Sequence, residues 1–143
     1  MRRAGFTMIE LVFVIVILGI LSAVAVPKMM GVSDKAKAGV CGSYYSSLNG
    51  TVSPNLWANV AIDDADVNSS YSDANISLLI TTPKGDKCGT ITQIGDIARN
   101  ADHSKDFTIT IGKNSDGTDA KYDVNGTQAT DSVAATWSWT KQK

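Results

Sequence analysis

An apolar segment near the N-terminus constrains this chain more than any other feature of its sequence. From residue 11 to residue 26 every side chain is aliphatic, aromatic or small. Residues 6–26 would span about 31 Å as an α-helix, because each residue rises about 1.5 Å. The hydrocarbon core of a bilayer is about 30 Å thick, and a backbone in lipid must satisfy its own hydrogen bonds. The segment is therefore predicted to form one membrane-spanning helix.

Three interpretations of this helix stay open on pattern alone. The first is a plain membrane anchor. The second is a secretory signal peptide, cut after the small residues Ala-Val-Ala at positions 23–25. In the third, a protease cuts on the cytoplasmic side after Gly5, and the apolar helix stays on the mature protein. Arg2 and Arg3 precede the helix, so the N-terminus is predicted to be cytoplasmic and the C-terminal part exported.

Glu10 is the one acidic residue near the apolar run, and only the third interpretation gives it a role. A carboxylate inside a bilayer costs several kcal/mol unless it is paired. Cleavage after Gly5 would create a free amine on Phe6. Between two helices packed side by side, Glu10 of one chain can meet the Phe6 amine of another. Such a pair would offset the desolvation of both charges and fix the axial offset of the chains.

The stretch GFTMIELVFVIVILGILSAVAVP closely resembles the N-terminus of type IV prepilins and of the pseudopilins of type II secretion. The resemblance covers residues 2–27, which is less than a fifth of the chain. It implies that a prepilin peptidase cuts between Gly5 and Phe6 and then N-methylates Phe6. It also implies that Glu10 guides assembly. Residues beyond position 30 show no comparable motif.

Gly19 and Pro27 are predicted to weaken the helix. Pro27 removes the hydrogen bond to Ala23 and should kink the helix there, while Gly19 lowers the local helix propensity. One interpretation is a tolerated kink, because both residue types are common in membrane helices. The other, implied by the resemblance, is local melting between Gly19 and Pro27 when subunits pack into a filament.

An amphipathic helix is predicted to follow the membrane segment, because apolar residues recur at a helical spacing. The predicted buried stripe consists of Val32, Ala36, Val40, Tyr44 and Leu48. Ser53-Pro54 is either an interruption of this helix or the start of a new turn, with Ser53 as the cap and Pro54 first inside.

The C-terminal half shows strand signals after a polar, acidic loop at residues 61–74. Residues 76–81 form either a strand or a buried turn of helix. Residues 107–112, 120–124 and 133–139 are predicted to be strands of an antiparallel meander, with Asp116-Gly117 in a turn.

The predicted fold is therefore α+β and pilin-like: a long N-terminal helix, kinked at Pro27, packed on a small antiparallel sheet. The predicted organisation is a leader at 1–5, a transmembrane and assembly helix at 6–27, an amphipathic helix at 28–60, and a loop and sheet region at 61–143.

Two cysteines, Cys41 and Cys88, allow one intramolecular pairing. An exported domain meets oxidising conditions, so a disulfide is predicted, with two unpaired thiols as the alternative. The bridge would close a loop of about 48 residues and stabilise the domain by about 4 kcal/mol on the chain-entropy model.

Other candidate sites are few. Asp116, Asp119 and Asp123 are weak calcium candidates, since calcium takes carboxylate ligands and some major pseudopilins bind calcium in C-terminal loops. Their spacing does not fit an EF-hand. We expect no other metal, no cofactor and no enzymatic activity, because the sequence shows no nucleophile–base pair or phosphate loop. The formal net charge of −1 predicts no nucleic-acid partner.

The resemblance implies a structural subunit of a type IV pilus-like filament that polymerises with copies of itself through its N-terminal helix. The expected partners are prepilin peptidase and the inner-membrane assembly machinery. The chain would wait in the inner membrane as a single-pass protein and then join a surface pilus. The first alternative is a type II secretion pseudopilin in a periplasmic pseudopilus. The second is a Sec-secreted or membrane-anchored binding domain.

Overall fold

The computed structural model describes residues 6–29, 31–85, 87–100, 105–114 and 116–143. Within these ranges the helices, which extend to Arg99, precede a small sheet. The elements are α1 (Met8–Met29), α2 (Val32–Ser47), a π-helical turn (Leu48–Val52), α3 (Ser53–Asp63), α4 (Val67–Ser70), α5 (Asp73–Leu79), α6 (Ile91–Arg99), β1 (Phe107–Lys113), β2 (Asp119–Thr127) and β3 (Thr136–Lys141).

Helix α1 stands apart from the rest of the chain. Every residue from 6 to 26 is exposed, so none of the apolar run packs on the globular part. The helix continues through Gly19 and Pro27 and ends at Met29. Gly31 follows with a φ of 112°, a left-handed conformation that favours glycine. The helical interruption thus lies a few residues beyond Pro27, and the kink at Gly19 and Pro27 stays a prediction.

One long helical rod, residues 32–63, carries the globular part. The predicted interruption at Ser53-Pro54 does not occur, because the backbone of Val52 and Ser53 stays in the right-handed helical region. Ser53 is not a cap, and the N–H of Ser53 bonds the carbonyl of Leu48 five residues back. Pro54 has no N–H to donate and lies in the first turn of α3, which directly follows the π-helical turn.

The sheet is an antiparallel meander in the order β1-β2-β3, as the sequence predicted. Its register places Phe107 opposite Val124 and Val124 opposite Trp139. The pairing of β1 shifts between Thr110 and Lys113, where Gly112 has a φ of 69°. A Cβ on Gly112 would lie 2.1 Å from the Cγ of Asp34, so this glycine lets the first turn of α2 dock on β1.

The core lies between the rod and the inner face of the sheet, and α6 closes it from one side. Its main members are Tyr45, Leu48, Val52, Leu56, Ile94, Ile97, Ile109, Ile111, Val124 and Trp137. The predicted stripe on the rod is correct only in part: Tyr44 and Leu48 are buried, whereas Val32 and Val40 are 59% and 51% exposed. Ala36 is exposed as well.

Three short helices lie between the rod and the sheet in chain order. The predicted loop at 61–74 contains α4, and the ambiguous segment at 76–81 is helical up to Leu79. Helix α6 was not predicted. It begins with a capping box, in which Thr90 Oγ1 accepts from the Gln93 N–H over 3.2 Å and the Thr90 N–H donates to Gln93 Oε1 over 3.0 Å.

Candidate functional site

The start of α1 is organised by a second capping box, formed by Thr7 and Glu10. Thr7 immediately precedes the helix, and Glu10 is its third residue. The Thr7 N–H and the Thr7 hydroxyl donate to Glu10 Oε2 over 3.2 and 3.1 Å, and the Glu10 N–H donates to Thr7 Oγ1 over 3.4 Å. These bonds satisfy helix-terminal donors that have no helical partner. Glu10 therefore has a local role in the single chain.

Thr7 is the functional residue that the sequence reasoning missed. The signal was present, because Thr-Met-Ile-Glu fits the capping-box pattern of Ser or Thr followed three residues later by Glu or Gln. A carboxylate is also favourable at a helix N-terminus, where the helix dipole is positive. The box thus fixes the carboxylate of Glu10 beside the end of the chain that cleavage would create.

The carboxylate keeps capacity for a further partner. Its Oε2 accepts both bonds from Thr7, whereas Oε1 accepts none from the residues that the structure describes. Phe6 and Glu10 are both exposed, and the Phe6 side chain is 84% exposed. An ammonium group from a second chain can therefore reach Glu10 without displacing Thr7.

The apolar surface behind this box is continuous. The stretch Met8–Val26 is long and apolar enough to cross a membrane, and none of it is buried against the chain. Glu10 is its one charged residue. Soluble monomers rarely leave a contiguous apolar patch of this size in water. This surface is suited to contact with lipid or with other helices.

Gly5 and the rest of the predicted leader lie outside the described residues. The predicted cleavage site is therefore described only on its Phe6 side. Gly19 lies within α1 with open space around it, since a Cβ there would meet no atom within 4 Å. The roles predicted for Gly5, Phe6, Glu10, Gly19 and Pro27 stay predictions.

The predicted disulfide is present between Cys41 and Cys88. Their Cα atoms are 5.3 Å apart across a sequence separation of 47 residues, and both residues are buried. The bridge ties α2 to the segment that precedes α6. Beside it, the Tyr45 hydroxyl donates to the carbonyl of Cys88 over 2.6 Å, and burial raises the pKa of Tyr45. The phenol therefore stays a donor at physiological pH.

The three calcium candidates have separate local partners. Asp116 Oδ1 accepts from the Thr118 hydroxyl and from the Thr118 N–H, and these bonds lower the Asp116 pKa. Asp119 Oδ1 lies 3.2 Å from Lys113 Nζ. Asp123 is on the outer face of β2, where its Oδ1 accepts from Thr108 and Gln142. No group of three or more acidic, histidine or cysteine side chains in the described ranges is placed to hold a metal ion.

Comparison with known proteins gives matches to the N-terminal segment. Residues 1–26 match the family model described as the prokaryotic N-terminal methylation motif. The type IV narrow pilus major component PilA5 of Thermus thermophilus is 58% identical over 36 residues, which are 25% of this chain and 31% of that protein.

Two further relatives are type II secretion system core proteins G. That of Pseudomonas aeruginosa is 51% identical over 39 residues, covering 27% of this chain and 28% of the relative. That of Aeromonas hydrophila is 54% identical over 35 residues, covering 24% of each chain. The matches thus span less than a third of the length of these curated relatives. No solved structure matches the chain.

These matches confirm the resemblance to type IV prepilins and pseudopilins, and the observed helix-and-sheet architecture confirms the α+β, pilin-like fold class. The chain is similar both to a type IV pilus component and to type II secretion proteins. The matches therefore support a pilin-like subunit and do not distinguish a pilus subunit from a pseudopilus subunit.

Proposed function

We propose that this chain is the precursor of a structural subunit of a type IV pilus-like filament. Prepilin peptidase cuts between Gly5 and Phe6 and methylates the new amine, and the mature chain polymerises through α1. The methylation motif at residues 1–26 supports this proposal, as does the 58% identity to a pilus major component.

The observation that carries the proposal is the exposed helix with one carboxylate held at its start. From residue 8 to residue 26, helix α1 presents apolar side chains on all sides and buries none of them in its own domain. In the inner membrane, lipid covers this surface. In a filament, the α1 helices of other copies cover it, and the globular domain of residues 31–143 faces outward.

Glu10 has two successive roles in this proposal. In the single chain it closes the capping box with Thr7. In the filament its free oxygen accepts the N-terminal ammonium of Phe6 from an adjacent copy. Burial of either charge alone is costly, whereas the pair offsets that cost. The pair also selects one axial offset between helices that are otherwise uniformly apolar.

The partners follow from these steps. They are copies of the same chain, the prepilin peptidase and the inner-membrane assembly machinery. Before assembly the chain spans the inner membrane with its N-terminus in the cytoplasm. After assembly it is part of a surface filament.

Electron microscopy of sheared surface material, combined with mass spectrometry of its subunit, tests the proposal. We expect filaments whose subunit begins at methylated Phe6. A secreted, non-polymeric protein that begins at Val26 would instead identify a binding domain with a Sec signal.

A pseudopilin of type II secretion is the second candidate. Its support is the 51% and 54% identity to two core proteins G. Long surface fibres in the native host would count against it. Loss of stability on calcium removal would favour it, and the local partners of Asp116, Asp119 and Asp123 give no such expectation here.

A further inference from the structure

The helical rod of residues 32–63 has two chemically opposite ends. It contains 32 residues, so its ends lie about 48 Å apart at a rise of about 1.5 Å per residue. Its first turns lie beside Gly31, where the chain leaves α1, and its last turn is followed by the loop at 64–66. We call these ends the basal end and the distal end.

The basal end borders a cavity of about 440 Å³ between α2 and the sheet. Its apolar lining comes from Ala38, the buried Ile111 and the half-buried Tyr122. Its basic lining comes from Lys35, Lys113 and Lys141. We call this feature the basal cavity.

The positive charge of the basal cavity is not balanced within the described part of the chain. Asp34 also lines it, but Lys37 Nζ lies 3.1 Å from its carboxylate, and this bond is the main reason that the Asp34 pKa is lowered. Lys113 pairs with Asp119. The ammonium groups of Lys35 and Lys141 form no ion pair among the described residues, and the charge of Lys141 also acts on the Asp116 carboxylate. Because Asp34 and Asp119 are each paired with another lysine, the cavity keeps an excess of positive charge.

The distal end has the complementary chemistry. Ile62 is 80% exposed, and the adjacent Asp63 and Asp64 are exposed too. Neither carboxylate has an ion-pair partner in the described ranges. The two acids also end a helix with no basic residue in its last turn, and the dipole is negative at a helix C-terminus. An apolar tip and two acids are thus placed where an isolated subunit gains nothing from them. We call residues 62–64 the distal tip.

We propose that the distal tip of one copy docks in the basal cavity of the next copy along the filament. Ile62 packs on Ala38, Ile111 and Tyr122, and the carboxylates of Asp63 and Asp64 meet Lys35 and Lys141. The contact joins two different surfaces of the same chain. Such head-to-tail contacts extend into open helical assemblies when the rotation does not close. The inference rests on the proposed filament function and names a second interface besides α1.

The anionic headgroup of a membrane lipid is the alternative occupant of the cavity, since the cavity lies beside the end of α1. A headgroup accounts for the lysines alone. It does not explain the apolar lining of the cavity. It also does not explain why the distal tip carries an exposed isoleucine beside two helix-terminal carboxylates. A second copy of the chain accounts for all of these features.

Cysteine cross-linking in native filaments tests the contact. The variant Lys35→Cys/Ile62→Cys places one thiol at each end of the rod. The two positions are separated by 27 residues, or about 40 Å, in one chain, so a bridge within a subunit is excluded. We expect a ladder of covalent dimers and higher oligomers on non-reducing gels. The control Ile62→Cys/Ser138→Cys has its second thiol on the exposed outer face of β3 and should give none.

Charge reversal provides a second readout. Lys35→Glu/Lys141→Glu and Asp63→Lys/Asp64→Lys should each lower filament yield by more than about tenfold, because like charges would then face each other. The four substitutions together should restore the yield to within about twofold.

The outcomes separate this contact from the proposed function. Absence of filaments from the unaltered chain would overturn both. Normal filaments that give no ladder from the Lys35→Cys/Ile62→Cys variant would overturn the head-to-tail contact alone. The same holds if the lysine reversal leaves filaments intact and instead lowers retention of the chain in membranes with anionic lipids.

Discussion

The carboxamide of Asn49 bonds both backbone groups of Trp137. Asn49 Nδ2 donates to the carbonyl of Trp137 over 2.7 Å, and the Trp137 N–H donates to Asn49 Oδ1 over 2.8 Å. Asn49 lies in the π-helical turn, and Trp137 lies in β3, which is an edge strand. A helix side chain thus pairs with an otherwise open edge at this point. The bond couples the rod to the end of the chain.

Replacement of Asn49 by leucine should therefore destabilise the globular part. The N–H and carbonyl of Trp137 would lose their partners, at a cost of about 1–3 kcal/mol. Urea unfolding of the full chain in detergent, followed by tryptophan fluorescence, measures the loss. The matched control is Asn55→Ala, which removes an exposed bond to the carbonyl of Thr51 in the same rod and should cost less than about 1 kcal/mol. Equal losses in both variants would argue against the Asn49 pairing.

Loss of the disulfide should lower the free energy of unfolding by more than loss of the Asn49 pairing does. The variant Cys41→Ala/Cys88→Ala frees a loop that spans 47 positions of sequence. The chain-entropy model gives a destabilisation of about 4 kcal/mol. Urea unfolding should give the same loss of stability for the variant and for the unaltered chain after reduction. A change below about 1 kcal/mol in both would show that the bridge contributes little to stability.

Part of the fold could be predicted from sequence because it depends on local pattern. Alternation of apolar side chains identified β1, and the length of the apolar run identified α1. Helix α6 was missed although Thr90 and Gln93 carry a capping-box pattern. The apolar residues Ile94, Ile97 and Ala98 also recur at a helical spacing, so α6 was readable in the sequence and was overlooked.

The stripe on the rod was predicted only in part for a geometric reason. A spacing of four residues drifts by about 40° per step around a helix of 3.6 residues per turn. Traced from the buried Leu48 back towards the N-terminus, this drift carries Val40, Ala36 and Val32 off the face that packs on the sheet. From Leu48 to Val52 the wider π turn offsets the drift, and Val52, Leu56 and Val60 stay buried. Sequence alone did not reveal the π turn.

The start of α1 also combines a feature that was predicted from the sequence with one that was missed. The offset of Glu10 from Phe6 was readable in the sequence, and the Thr7–Glu10 box was readable but overlooked. The complementarity between the distal tip and the basal cavity was not readable, because Lys35, Lys113 and Lys141 converge only when α2 packs on the sheet.

Acid should weaken the link between α5 and α6. The hydroxyl of Thr92, and then Arg99, hold the pKa of Asp73 below its usual value. Because the folded pKa is lower than the unfolded pKa of about 3.9, this stabilisation is complete above about pH 5 and is lost as pH falls through the folded pKa. Asp73→Asn should lower Tm at neutral pH, and the difference from the unaltered chain should shrink below about pH 4. A difference that is constant with pH would contradict this role of the charge.

A bulky side chain at Gly5 should block processing. The proposed cleavage site needs a small residue before Phe6, so Gly5→Trp should leave the leader of residues 1–5 attached, whereas Gly5→Ala should be cut at least in part. Intact mass of the membrane-bound chain distinguishes the two products. A normally shortened Gly5→Trp chain would place the cleavage elsewhere.

Glutamine at position 10 should separate the two roles of Glu10. A capping box accepts glutamine as well as glutamate, and Gln93 closes such a box in α6. Glu10→Gln should therefore keep the start of α1 and the processing step but lose the charge that meets the Phe6 amine. We expect a processed, membrane-bound chain and at least about a tenfold loss of filaments, because a buried ammonium would be left unpaired. Glu10→Val, which loses both roles, should also be processed and should not assemble.

The most direct test of the central claim is the mass of the N-terminal peptide from the subunit of native, sheared filaments. We expect a peptide that begins at Phe6, carries one methyl group on its amine and retains Glu10 and the whole apolar helix. A subunit that begins at Val26, with the apolar helix removed, would contradict it.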